Sequence, residues 1–148
     1  MFELHPRLTE DTLAVGDFPL CRLLLMNDAS YPWFILVPRR AEIREIFELA
    51  RHDQQQLLDE SSQLSQVLNK VFHADKLNIA ALGNMVPQLH IHHIVRYQTD
   101  QAWPNPVWGQ YPAQPYTERA LQETCAGLID HLIDFIPDKN CDVAPGIC

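Results

Sequence analysis

The chain has 148 residues and a mass of 17.0 kDa, enough for one hydrophobic core and too little for two. With 47% hydrophobic and 20% charged residues it is globular in composition, which excludes a disordered chain, a collagen-like repeat and a coiled coil. Eleven Lys and Arg against nineteen Asp and Glu leave a net charge of −8, a field that repels long nucleic acids but still permits a small phosphorylated ligand held by a local group of donors.

Residues 1–6 show neither the basic start nor the apolar run of a secretory signal, and no apolar stretch approaches the ~18 residues of a membrane span. A cytoplasmic protein with no membrane partner is expected. Residues 13–18 read as a strand, ended by Pro19 because proline cannot donate to a ladder. Residues 21–26 and 33–37 are apolar runs around Asn27-Asp28-Ala29-Ser30, and that turn chemistry predicts a hairpin. From Ala41 to about Phe72 there is neither Pro nor Gly. A short turn around Ile43, Ile46, Phe47 and Leu49 comes first. The longest helix follows, with Asp53 near its positive end and Leu57, Leu58, Leu64, Val67, Leu68, Val71 and Phe72 at helical spacing.

Residues 77–82 and 89–95 read as two further strands, joined by Gly83-Asn84-Met85-Val86-Pro87-Gln88. Residues 97–115 include Trp103-Pro104-Asn105-Pro106-Val107-Trp108-Gly109, too rich in proline for a helix or a central strand, and are predicted to be a loop. Thr117 caps a last helix whose stripe is Leu121, Cys125, Leu128, Ile129, Leu132, Ile133 and Ile136, ended by Pro137. Residues 1–136 then form one domain, and 137–148 a tail to which no structure is assigned and in which Cys141 and Cys148 fall. These two, with Cys21 and Cys125, show no C-x-x-C spacing, so reduced thiols are expected rather than a disulfide framework or a zinc ribbon. Strands and helices do not alternate strictly. That order predicts an α+β fold, an antiparallel sheet of about five strands with helices on one face.

Three of the seven histidines, His90, His92 and His93, fall within four residues. On a strand alternate side chains share a face, so Gln88, His90 and His92 project together, about 7 Å per step, while His93 points the other way. One histidine on a strand is ordinarily a surface residue, but a pair on one face after a Gly-Asn turn calls for chemistry. A metal site would use neutral imidazoles and needs Cys21 or an acidic residue from another strand to complete its ligands. A phosphoryl or nucleotidyl site would use one imidazole as nucleophile and its neighbours as donors to phosphate oxygens. That second reading also employs the Gly83-Asn84 turn, whose N–H groups can face an anion.

The run Gly83-Asn84-Met85-Val86-Pro87-Gln88-Leu89-His90-Ile91-His92-His93-Ile94-Val95-Arg96 resembles the signature of the histidine triad (HIT) family, in which three histidines alternate with apolar residues on a strand after a Gly-Gln or Gly-Asn turn. Aligning the turn glycine and the trailing arginine makes His90 the middle histidine and His92 the last, with Gln88 in place of the first. The hairpin ending in Val37-Pro38-Arg39, the long helix and the two late strands follow the family's order across roughly residues 12 to 100. Two departures are Pro32-Trp33, where a Gly-His pair is frequent, and Met85, where many members have Ser or Thr.

The resemblance implies a HIT-like fold and a small nucleotide hydrolase or nucleotidyl transferase, usually a homodimer, acting on conjugates such as dinucleoside polyphosphates or nucleoside phosphoramidates. It implies His90 as the nucleophile that forms a nucleotidyl-histidine, His92 and Asn84 as holders of phosphate oxygens, and Asn27 as a residue facing the ribose. Gln88 would supply the main-chain carbonyl that orients the nucleophile's other ring nitrogen, with its amide donating to a phosphate. Glutamine cannot titrate as an imidazole does, yet Gln88→His is expected to preserve or raise activity because the carbonyl is kept. No redox cofactor is implied. Trp103 and Trp108 either pack the proline-rich loop or stack on a base, and Arg96 either pairs with a carboxylate or approaches the ligand. The alternatives are a non-catalytic nucleotide-binding protein and a metal-binding module on His90 and His92. Time-dependent AMP release and elemental analysis separate the three.

Overall fold

The computed structural model describes residues 1–141. Six strands form one antiparallel sheet: β1 (Thr12–Asp17), β2 (Cys21–Met26), β3 (Trp33–Pro38), β4 (Lys76–Ala80), β5 (Ile91–Arg96) and β6 (Ile136–Pro137), in the order β4-β5-β3-β2-β1-β6. The helices are α1 (Pro6–Asp11), α2 (Arg51–Phe72) and α3 (Glu118–Ile129). The α+β class and the single antiparallel sheet agree with the sequence reading, with one strand more. No helix among the described residues is long and apolar enough to cross a membrane.

β3 lies near the middle of the sheet and every residue in it is buried, because both of its faces are covered. Phe34 and Leu36 join Leu23, Leu25, Leu57, Leu64, Leu68 and Val95 in the core beneath α2 and α3. Trp33, Ile35 and Val37 point the opposite way, into a second cluster with Leu8, Leu24, Val86, Ile94 and Val107. Fully burying an aliphatic side chain of this size is worth about 1.5–3 kcal/mol, so these two layers supply most of the drive to fold. α2 is pinned to the sheet by Glu60, whose buried carboxylate accepts from the amides of Leu20 (3.0 Å) and Cys21 (2.8 Å) and from Gln56 Nε2 (2.7 Å). At its start Asp53 holds Arg40 through two contacts, 2.7 and 2.9 Å. Leu58, counted in the apolar stripe, is 60% exposed and lies off it.

Most strand bounds shift by one or two residues, β4 ending at Ala80 and not at residue 82, and two differences matter more. The last helix stops at Ile129, and the chain turns through a left-handed Asp134 to pair Ile136 with Asp17 and Pro137 with Gly16. Leu132 and Phe135 pack against the core from an irregular segment, while Ile133 and Ile136 are exposed, so the apolar spacing past Ile129 marked neither helix nor a buried stripe. Gly16 permits this return: a Cβ there would stand 2.4 Å from the Ile136 carbonyl oxygen. The boundary drawn at residue 136 therefore cuts through a paired segment. Asp138 N donates to Val15 O at 2.8 Å, and Cys141 is buried near Ala14 O instead of lying in an unstructured tail. Cys148 lies outside the described residues. Second, β5 begins at Ile91 and not at Leu89, because Leu89 N donates to Ile43 O (2.9 Å) outside the ladder. The six-residue α1, with Pro6 in its first turn, was too short to show a period in the sequence.

Candidate active site

The side of the sheet away from α2 carries a cleft of about 340 Å³ lined by Arg7, Leu8, Asp11, Met26, residues 82–86, His90, His92 and Trp108. Strand register places its parts. His92 on β5 stands opposite Ile35 on β3, which stands opposite Leu24 on β2, two residues from Met26. Two strand spacings of about 4.8 Å thus separate the histidine end from the Met26 and α1 end. The turn at one wall needs glycine, since Gly83 has φ +98.

His90 and His92 have ring centroids 5.0 Å apart. His90 Nδ1 lies 2.6 Å from the Gln88 main-chain oxygen. A carbonyl only accepts, so Nδ1 must carry the proton, and in the neutral ring Nε2 is left with its lone pair. His92 is the mirror case: Trp33 Nε1 donates to its Nδ1 at 2.9 Å. An indole N–H only donates, so Nδ1 accepts and the neutral ring presents Nε2–H. The Trp33 that departs from the family pattern thereby sets the tautomer of the last histidine. Burial, then the neighbouring His90 and His93, pushes the His92 pKa down to about 3 and keeps it neutral. The two rings offer opposite functions, a nucleophilic nitrogen and a neutral donor.

His93 faces α2, as strand alternation requires. It is fully buried, with Nδ1 3.1 Å from Ile91 O and Nε2 2.7 Å from Ser61 Oγ. Burial pushes its pKa down to about 4 against the opposing contact with the Ile91 carbonyl. His92 and His93 titrate near 6.5 when unfolded and lower when folded, so their contribution is complete above about pH 6.5 and lost as pH falls toward about 4 for His93 and about 3 for His92. We expect each imidazole to forfeit about 2 kcal/mol of stability at about pH 5. The urea midpoint should therefore drop between about pH 7.5 and about pH 5; equal midpoints would contradict the assignment.

The other expected residues divide. Asn84 lines the cleft with His90 and His92. Asn27 lies outside the lining, beside Met26, and its Oδ1 accepts from Tyr116 N at 2.9 Å. The Gln88 amide does not face the cleft: its Oε1 accepts from His5 N (2.9 Å) and its Nε2 donates to Glu3 O (2.8 Å), so only its main-chain carbonyl serves His90. Arg96 is an ion-pair residue, 1% exposed, gripping both Asp100 carboxylate oxygens at 2.9 and 3.0 Å and Asn78 Oδ1 at 2.8 Å. Trp103 packs over its guanidinium, whereas Trp108 borders the cleft with its ring 5.1 Å from His92. Cys21 belongs to the core beneath the helices, on the opposite side of the sheet from His92, so it cannot complete a metal site there. Among the described residues no group of three or more His, Cys, Asp or Glu is placed to hold a metal ion.

The HIT domain model matches residues 7–99, which contain the whole cleft lining except Trp108. The chain belongs to the HIT family. Its fold is similar to three solved histidine triad proteins, each with a TM-score of 0.87. The one from Marinobacter aquaeolei VT8 is 57% identical, over 89% of this chain and 96% of that one. The Bradyrhizobium japonicum protein is 46% identical over 88% and 97%, and the Sinorhizobium meliloti 1021 protein 44% over 89% and 98%. No curated protein matches the chain. HIT proteins are a family of nucleotide hydrolases and transferases, and the sequence reading reached that family from residues 83–96. The signal missed was Trp33: only the sheet register shows that it stands beside His92. Arg7, Leu8 and Asp11 were missed because α1 was not foreseen, and Met26 because only the sheet register brings the end of β2 to the cleft.

Proposed function

We propose that this HIT protein hydrolyses or transfers a nucleotide at the α-phosphate of a conjugate, a dinucleoside polyphosphate or a nucleoside phosphoramidate, through a nucleotidyl-histidine on His90. The observation that carries this reading is the 2.6 Å contact between His90 Nδ1 and Gln88 O, which leaves Nε2 as the nucleophilic nitrogen. Nε2 attacks the α-phosphorus, the Nε2–P bond forms, and the bond to the leaving group breaks, a phosphate departing as its anion and an amine taking up a proton from solvent water. Nδ1–H stays with the Gln88 carbonyl and spreads the positive charge of the phosphorylated ring. Water or another acceptor then attacks phosphorus, breaks the Nε2–P bond and releases the nucleotide, returning His90. His92 Nε2–H and Asn84 donate to the phosphate oxygens, while Leu8, Met26 and Trp108 enclose the nucleoside. These steps use no redox cofactor. Incubation with a panel of adenosine and guanosine phosphoramidates and dinucleoside polyphosphates should release monophosphate, and rapid quenching should trap a nucleotidyl adduct on His90. Nucleotide binding without release would leave a binding protein.

The same reading includes a homodimer. β4 is an outer strand of the sheet, and around it Ile79 (53%), Leu58 (60%) and Phe47 (78%) are exposed beside a groove of about 470 Å³ between α2 and β4. An open edge flanked by apolar surface is covered economically by an isologous pairing with a second copy. Light scattering should give about twice the 17.0 kDa chain mass; a value near 17.0 kDa at micromolar concentration rejects the dimer.

A further inference from the structure

The segment before α1 is attached to the cleft through one side chain. Gln88 Nε2 donates to Glu3 O at 2.8 Å, and Gln88 Oε1 accepts from His5 N at 2.9 Å. The two groups flank Leu4, so the carboxamide pairs with this extended segment as a peptide group of a neighbouring strand would. Phe2 and Leu4 pack against the apolar cluster on the cleft side of the sheet. Such packing is non-directional and leaves the register of the segment open. The carboxamide closes it. Immediately afterwards the chain enters α1, which supplies Arg7, Leu8 and Asp11 to the cleft wall.

Gln88 therefore has two tasks. Its side chain sets the register of residues 3–5, and its main-chain oxygen receives the Nδ1–H of His90 at 2.6 Å. An imidazole at this position keeps the carbonyl, but its two ring nitrogens diverge and do not present donor and acceptor side by side. We propose that Gln88 is a positioning residue that couples the N-terminal segment to the nucleophile, so that the α1 wall and the orientation of His90 are set together. Its catalytic meaning rests on the proposed nucleotide chemistry; the coupling itself does not. Gln88→His is accordingly expected to lower affinity for nucleotide, the reverse of what the family pattern implies.

The two sides of the clamp can be cut separately. Gln88→Met removes both amide bonds and keeps the chain length and the carbonyl. His5→Pro removes the N–H from the other side, at a residue whose φ of −56 and ψ of 135 already suit proline. His5→Ala is the control, since it keeps that N–H and loses only the side chain that accepts from Arg7 N. In the ligand-free protein the imidazole nitrogen-15 signals of His90 should show a single Nδ1–H tautomer. Gln88→Met and His5→Pro should each turn it into a mixture, with the double variant no worse than either single one, while His5→Ala keeps the parent signature. Titration with AMP should show about a tenfold weaker Kd in both disrupting variants, roughly 1.4 kcal/mol. An unchanged His90 tautomer in Gln88→Met and His5→Pro, or additive effects in the double variant, overturns the coupling. Failure of the parent to bind AMP overturns the nucleotide reading instead, and the tautomer signals still decide the coupling.

Discussion

His90→Ala is expected to remove essentially all nucleotide release, at least about a thousandfold, or about 4 kcal/mol of transition-state stabilisation. Neither neighbouring histidine can replace it. His92 has its Nδ1 occupied by Trp33, and its Nε2 carries the proton, so it presents a donor and not a lone pair. His93 is on the far face, buried against Ser61. Binding of AMP should weaken far less, because Asn84, His92 and the apolar wall remain. The decisive measurement is monophosphate release by parent and variant, purified alongside a mock preparation from cells lacking the protein. A variant that matches the parent rate rules out the covalent route through His90.

Arg96→Met should cost about 3–5 kcal/mol of folding stability, because it leaves a buried carboxylate without its cation. Asp100 is where the loss falls. Burial alone would raise its pKa, but the Arg96 guanidinium and the Tyr97 and Trp103 amides outweigh burial and hold the carboxyl below the usual range. The same carboxylate also accepts from Ala102 N, so it organises the start of the loop that leads to Trp108. Tyr31 and Trp103 close over the guanidinium at 5.9 and 5.7 Å. Urea unfolding at neutral pH measures the effect, and a loss under about 1 kcal/mol would show that the pair is not the anchor proposed. Arg96→Lys should recover only part of it, since one ammonium cannot reproduce the bidentate grip on Asp100 and the bond to Asn78.

The local chemistry of the chain was legible where it depends on near neighbours. Turn residues 27–30 marked the hairpin, the run without Pro or Gly marked α2, and Thr117, whose side chain accepts from Ala120 N at 3.2 Å, marked the start of α3. Alternation on β5 sent His92 and His93 to opposite faces. The spacing of residues 83–96 was specific enough to identify the family, because a turn glycine, an asparagine and a trailing arginine constrain the register together.

Contacts between residues far apart in the chain were not legible. Helical spacing carried the last helix on to Ile136, but Ile133 and Ile136 stay exposed, and a glycine on β1 admitted an extended return instead. Arg96 had two partners open to it in the sequence, and the burial of Asp100 beside it chose one. Gln88 looked like a phosphate donor because strand alternation aims its side chain with His90 and His92; residues 88–90 leave the ladder, and the carboxamide reaches Glu3 and His5, more than eighty positions away. The sequence by itself determined the fold class and the family, since these rest on residue types at short, fixed spacing. The tautomers of His90 and His92, and with them the roles proposed for the two rings, were decided only when tertiary structure set Gln88 O and Trp33 Nε1 against them: a ring nitrogen takes its role from the partner it meets.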